Sequence, residues 1–299
     1  LFWALRGGGN SFCIVTEVEL RTIQPKTIYL GNVGYGSGPE VQEKYVKGMV
    51  DFARLGSDDP GSSLEGQTRW VPSRSDNITY HAFLFHNGDS PKAPGLVNLT
   101  APVLPFASGN FTEKSMKTWF EEFPSNTDRG NRKRFIWKAI PAEVEAYRIA
   151  IDTYYSEIKE LAAVNRFFTA FSVMPITDRV ISESAANGGN PLGLNEESAP
   201  AMWLVESPSW LDAVDDATVD KVHAKANAKI TANLEAAGFS ELPFVYLSDA
   251  DKRQPVFAGY GQENWDRLKE IRAKYDPEMV YTKLLPGGAK VETGVAAKA

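Results

Sequence analysis

The sequence predicts an α+β fold: an antiparallel β-sheet backed by helices. Three observations lead there. Runs rich in aromatic and β-branched residues recur along the 299 residues, bounded by Gly, Pro, Asn or Asp. Between them lie apolar stripes with helical spacing. The strand runs alternate apolar with polar, as strands with one wet face do, unlike the continuous apolar runs of a parallel sheet buried on both faces.

In chain order, the strand-like runs are 13–22, 29–35, 67–71, 78–86, 135–140, 167–174, 202–206 and 244–248. Helices are predicted around 41–54 and 113–122. Val144, Tyr147, Ile151, Tyr154, Ile158 and Leu161 step by three and four and predict a helix of about six turns. Val219, Val222, Ala226, Ile230 and Leu234 make another, with Asp215 and Asp216 near its positive end and Gly238 as its stop. A further helix starts near Glu263, carries Trp265, Leu268 and Ile271, and ends before Pro277. The small, polar tail after Pro286 is expected to fray. No internal repeat and no low-complexity segment interrupts this order.

Composition narrows the function. A net charge of -6 and a pI near 5.3 argue against a nucleic-acid partner. The one dense basic run, "RGNRKRF" at 129–135, reads as a solvated turn before a strand. No apolar run approaches the ~18 residues that span a bilayer, so no membrane partner is expected. Cys13 is alone, and with three scattered histidines (His81, His86 and His223) it cannot build a zinc site, so no metal is expected. His223 reads as a surface or boundary residue, His81 and His86 as structural. Glu143, Glu145, Glu157 and Glu160 read as one solvated helix face. Three Asn-x-Thr sequons, at Asn77, Asn98 and Asn110, crowd one region near turn signals and predict a secreted glycoprotein.

The opening "LFWALRGGGNSFCIVTEVELRT" sets three glycines before a strand-like run. The dinucleotide fingerprint G-x-G-x-x-G is absent and the glycines precede a strand, so a Rossmann fold is not expected. The longer string closely resembles the end of the FAD-binding domain of berberine-bridge-enzyme-like oxidases. These belong to the vanillyl-alcohol-oxidase superfamily, with PCMH-type FAD binding, and the fungal secreted members look nearest. "YGQENWDRLKEIRAKYDPEMVY" resembles the same family's C-terminal signature. "GGNPLGL" at 188–194 and "FVYLSDADKRQ" at 244–254 fall where the family has a substrate-side loop and a flavin-facing strand. The resemblance spans the whole chain.

The resemblance implies a C-terminal fragment of an FAD-linked oxidase, with any residues that attach FAD covalently lying upstream. Residues 1–26 would end the FAD-binding domain, 27–250 form the substrate domain, 251–286 return to the FAD domain, and 287–299 be a flexible tail. Gly7, Gly8, Gly9 and Asn10 would let backbone pass close to the cofactor, with Ile14 and Val15 along its adenine side and Ser248 near the flavin. Cys13 stands where the family usually has glycine, and Ser248 where it usually has asparagine. Tyr246 matches the first tyrosine of the family's strand motif and becomes the candidate base, with Asp249, which replaces the second, as the next. Strand alternation would put Phe244, Tyr246 and Ser248 on one face. Tyr260 and Asn264 match the C-terminal signature and would tie the last helix to the FAD domain.

The implied reaction removes a hydride from an alcohol or amine C–H of a small molecule or sugar, with O2 as acceptor. A flavin-degenerate extracellular binding protein of the same fold is the alternative. A glycosidase would need a carboxylate pair, for which Glu206, Asp249 and Asp251 are the nominees, and nothing in the sequence pairs them.

Overall fold

The computed structural model describes residues 1–25, 27–122 and 129–295. Its centre is an eight-stranded sheet in which every described neighbour pair is antiparallel. In chain order the elements begin with α1 (Phe2–Leu5), β1 (Ile28–Gly36), α2 (Pro39–Leu55), β2 (Ser62–Trp70) and β3 (Thr79–Asn87). Next come β4 (Phe111–Glu113), α3 (Met116–Glu122), β5 (Arg132–Lys133), β6 (Ile136–Pro141), α4 (Val144–Ile158) and β7 (Phe168–Ile176). The chain finishes with α5 (Asp178–Ala186), β8 (Ala201–Trp210), α6 (Asp216–Ala236), α7 (Gln262–Tyr275) and α8 (Val280–Lys283). The strands lie in the order β4-β1-β3-β2-β7-β8, with β5 and β6 sharing the outer edge of β8.

Alternation along the strands explains the two faces. On β3, Tyr80, Ala82, Leu84 and His86 are buried, while Thr79, His81, Phe83 and Phe85 are half-buried on the other side. The buried side meets α2, α4 and α6 in one large core. The predicted stripe on α4 lands there: Tyr147, Ile151, Tyr154 and Ile158 are fully buried, although Val144 at the helix start is exposed. On α6, Val219, Val222, Ala226, Ile230 and Leu234 fill the facing surface, and Gly238 closes the helix at φ +83°. His223, expected near the surface, sits on the same stripe. It is fully buried, its Nδ1 2.6 Å from Glu206.

Three further expectations change. The basic run around 129–135 is largely exposed, as expected, but it is more than a turn: Arg132 and Lys133 form β5, Arg132 pairs with Asp216, and the Arg134 side chain folds in to pair with Asp220 and Asp251. Glu157 leaves the solvated face to bridge Lys225 and Lys229, joining α4 to α6. The tail is packed as far as it is described. Lys290 and Val291 are fully buried against the N-terminal segment, where Lys290 Nζ donates to Asn10 Oδ1 at 2.9 Å and the Val291 N–H to Ser11 Oγ at 3.1 Å. Residues 296–299 and Lys26 lie outside the described residues.

Two predicted strands are absent. Residues 13–25 run without regular structure, and Ile14, Val18, Leu20 and Ile23 are exposed because no strand lies beside them to pair with. Residues 244–248 are not a strand either, since the edge of β6 is already satisfied. The Gln254 side chain takes the Trp137 N–H at 2.9 Å and donates to its carbonyl at 2.8 Å, and the Leu242 N–H bonds Ala139 O. The chain then turns over Tyr246–Leu247–Ser248–Asp249, closed by the Asp249 N–H on Tyr246 O at 3.1 Å.

Candidate functional site

The sheet face away from α2, α4 and α6 carries a row of polar side chains. On β2, Glu65, Gln67 and Arg69 alternate with the buried Gly66, Thr68 and Trp70, so the three polar residues share that face. The register sets Gln67 between His81 of β3 and Ser172 of β7, and Glu65 beside Phe83. Arg69 lies between Thr79 and Ala170. The row is tied end to end: Arg69 Nε and Nη2 donate to Gln67 Oε1 at 2.8 and 2.6 Å, and Gln67 Nε2 donates to Glu65 Oε1 at 2.8 Å. His81 Nε2 lies 2.9 Å from Thr79 Oγ1. Burial, with the Arg69 cation second, holds the His81 imidazole down to about 4, so it is neutral at physiological pH.

Beside this row the chain builds an aromatic shelf. Trp137 of β6 and Trp203 of β8 stand 5.4 Å apart, and Tyr246 packs on both, at 5.6 and 6.2 Å between ring centroids. The Trp137 indole N–H donates to Phe244 O at 2.9 Å, which fixes the segment leading to Tyr246. The Tyr246 ring is half-buried, and its hydroxyl makes no hydrogen bond among the described residues. Three residues on, the Asp249 carboxyl is also half-buried and without a hydrogen bond among them. Burial first, and the charge of Glu65 second, raise its pKa above the ordinary carboxylate range. A tyrosine hydroxyl and, near Glu65, a carboxyl with a raised pKa therefore stand without hydrogen-bond partners among the described residues. Such groups can accept or donate a proton.

The other predicted residues divide. The glycine run has its own packing reasons. A Cβ on Gly7 would meet Leu192 at 2.6 Å and one on Gly8 the Phe12 ring at 2.5 Å, while Gly9 holds φ +65° beside Leu247. The Asn10 amide is committed to Gly287 and Lys290. Ile14 and Val15 are exposed and open to a partner, and Ser248 is exposed in the turn rather than on a strand face with Tyr246. Tyr260 reaches the N-terminal segment, its OH donating to Gly7 O at 3.1 Å, and Asn264 Nδ2 donates back to Tyr260 O within the C-terminal part. His86 is buried with Ser62 and Asp59. Glu206 points into the helical core and Asp251 is bound by Arg134 and Arg253, so neither faces Asp249 across a cleft.

Glu65, Gln67 and Arg69 were not singled out in the sequence. The signal was present in "EGQTRW", a polar residue at every second position, and the predicted strand began too late to include Glu65. Among the described residues no helix is long and apolar enough to cross a membrane, and no cluster of three or more His, Cys, Asp or Glu could hold a metal.

No family model matches the chain. An FAD-dependent monooxygenase of Cochliobolus heterostrophus, tpcD, is 28% identical over 306 residues, covering 97% of this chain and 57% of that protein. Among solved structures, 6-hydroxy-D-nicotine oxidase of Arthrobacter nicotinovorans superposes with a TM-score of 0.65 at 17% identity, over 94% of this chain and 59% of that one. Glucooligosaccharide oxidase of Acremonium strictum gives 0.64 at 16% identity, over 100% of this chain and 62% of that one. The chain has the fold of an FAD-linked oxidase. It spans 57% of the length of the monooxygenase and a similar share of the oxidases. Within this flavoprotein fold, the uncovered sheet face with Glu65, Gln67 and Tyr246 is where free polar groups converge.

Proposed function

We propose that the chain is the substrate-binding part of a secreted FAD-dependent oxidase. It would take a hydride from an alcohol or amine C–H of a small molecule or sugar and pass the electrons to O2. One observation carries this reading: in an FAD-oxidase fold, the Tyr246 hydroxyl and the Asp249 carboxyl stand free of protein partners beside Glu65 on the open sheet face. FAD, when bound, supplies the hydride acceptor.

The chain's own residues hold the substrate and manage its proton. The half-buried rings of Trp203 and Tyr246, backed by the buried Trp137, offer flat apolar surface, and Gln67 offers a polar contact from the strand. As the C–H bond breaks, the Tyr246 oxygen takes the proton of the substrate hydroxyl or ammonium while its own hydroxyl proton passes to the Asp249 carboxylate, whose raised pKa favours keeping it. Ile14 and Val15 lie along the cofactor, and their exposure fits surface that a second domain covers. The glycine run lets the backbone of that segment pass close to the cofactor while seating it against Leu192 and Phe12.

The test is anaerobic mixing of the full-length protein with candidate alcohols, amines and sugars, following flavin absorbance. Bleaching by a member of one of these classes, with hydrogen peroxide formed on admitting air, is the expected result. A purified full-length protein that carries no flavin would instead make it a binding protein of the same fold.

A further inference from the structure

Resting on the oxidase reading, we infer that the cleft beside Arg69 binds a carboxylate, and that the substrate is therefore an organic acid with its oxidisable C–H at the opposite end. The cleft measures about 560 Å³ and opens at the end of the polar row, walled by Arg69, Arg74, Arg166, His81, Phe167 and Phe168. No Asp or Glu lines it.

Arg54, Arg132, Arg134, Arg148, Arg179, Arg253 and Arg272 each meet a carboxylate, and Arg6 and Arg267 instead lie over aromatic rings. Arg69, Arg74 and Arg166 meet none among the described residues, although the protein carries a net charge of -6. Arg69 is half-buried, and its guanidinium is held in place by Gln67 Oε1, a neutral acceptor, with the Glu65 charge acting on it only through space from farther along the strand. Arg166 is set at φ +53°, a left-handed conformation that costs a non-glycine residue energy and that nearby function commonly explains. His81, neutral beside them, offers a hydrogen bond without adding charge. Three guanidinium groups, Arg69 half-buried and Arg74 and Arg166 exposed, border one cleft and match the fork of a carboxylate. The half-buried Phe168 supplies apolar wall for the carbon skeleton.

The spacing along β2 gives the substrate its polarity. Arg69 lies four residues from Glu65, about 13 Å at about 3.3 Å per strand residue. The cation end thus holds the carboxylate while Glu65, Asp249 and Tyr246 face the carbon to be oxidised. A carboxylate at the acidic end would be repelled, so the face admits such an acid in one direction only.

The experiment uses enzymatically deglycosylated full-length protein and isothermal calorimetry, because the sequon at Asn77 stands at the cleft rim. The probes are 3-phenylpropionate and its neutral amide, 3-phenylpropanamide. The acid is expected to bind about tenfold more tightly or better, and to lose that advantage as salt rises. Arg69→Gln should abolish the preference. Arg166→Gln, at an exposed position where folding is not at stake, should reduce it by about threefold or more. Equal binding of acid and amide, or a preference that survives both substitutions, would overturn the carboxylate site. Calorimetry needs no turnover, so the two readings fail separately. A protein that prefers the acid while no alcohol or amine reduces its flavin would overturn the oxidase reading alone. Flavin reduced equally fast by acids and their amides would overturn the carboxylate inference alone.

Discussion

Tyr246 presents a side chain whose ring is fixed and whose hydroxyl is free, the arrangement expected of a group that meets something outside the chain. Trp137 and Trp203 hold the ring, so Tyr246→Phe removes one oxygen and leaves the packing in place. In the full-length enzyme the flavin should stay bound while its reduction by substrate slows by about 10²–10⁴, the usual worth of a positioned general base. Because the contact is made in the transition state, kcat and kcat/KM should fall together. A variant that reduces its flavin at the parental rate would make Tyr246 a packing residue. Asp249 carries a second prediction, through its raised pKa. Between the ordinary carboxyl value of about 3.9 and the raised folded value, the native state binds more protons than the unfolded one, so stability falls as pH rises through that window and levels off above it. Asp249→Asn should remove this fall and leave the protein at least as stable at pH 8. Thermal melts at pH 4, 6 and 8 would measure it, and a parental pH slope in the variant would mean that Asp249 does not titrate as described. The identity of Asp249 was legible in the sequence. Its partner Glu65 was not, because 184 residues separate them and only the strand order brings β2 towards the 244–249 turn.

At the scale of elements, the sequons show what local structure adds to a tripeptide. Asn77 and Asn110 are exposed in loops, and neither side-chain amide has a partner among the described residues. Asn98 lies in a short 3₁₀ turn, Pro94–Leu99, that packs on α2, and its Nδ2 donates to Asp51 Oδ2 at 2.6 Å. A glycan there would break that bond and push the turn from α2. Peptide mapping of protein from its native host should therefore find Asn77 and Asn110 glycosylated and Asn98 bare. Glycans on none of the three would remove the main reason for placing the protein outside the cell. The same scale separates what the pattern could and could not show. Helices α2, α4, α6 and α7 and strands β2 and β3 were readable from their periodicity, and β1, β6, β7 and β8, buried along most of their length, from aromatic and β-branched composition between turn residues. Residues 13–22 show the limit. Their alternation is that of a strand, yet a strand is a property of a pair, and no described strand lies beside them. Residues 244–248 have the composition of a strand too, but the Gln254 side chain had already taken the backbone groups of β6 that a neighbour would need.

For the molecule as a whole, the two chain ends meet and decide what the 299 residues can hold by themselves. Lys290 and Val291 bind Asn10 and Ser11, and Trp265 Nε1 donates to Val291 O at 2.6 Å, so the N-terminal segment is clamped under the C-terminal helices. That clamp uses up the Asn10 amide. What the chain can offer FAD is then one wall: the open sheet face, Tyr246 with Asp249, and the exposed Ile14 and Val15. Tight cofactor binding needs many converging contacts, and each missing one leaves the ordering cost of the ligand unmatched. Leu1–Ala299 alone should therefore bind FAD more weakly than about 1 µM, where the full-length protein retains it through purification. Calorimetric titration of both proteins with FAD would measure the difference. Sub-micromolar binding by the 299 residues would mean that the cofactor's main contacts lie within them, and the pyrophosphate would then have to be sought along 13–25, where backbone N–H groups are left without partners by the absence of a strand.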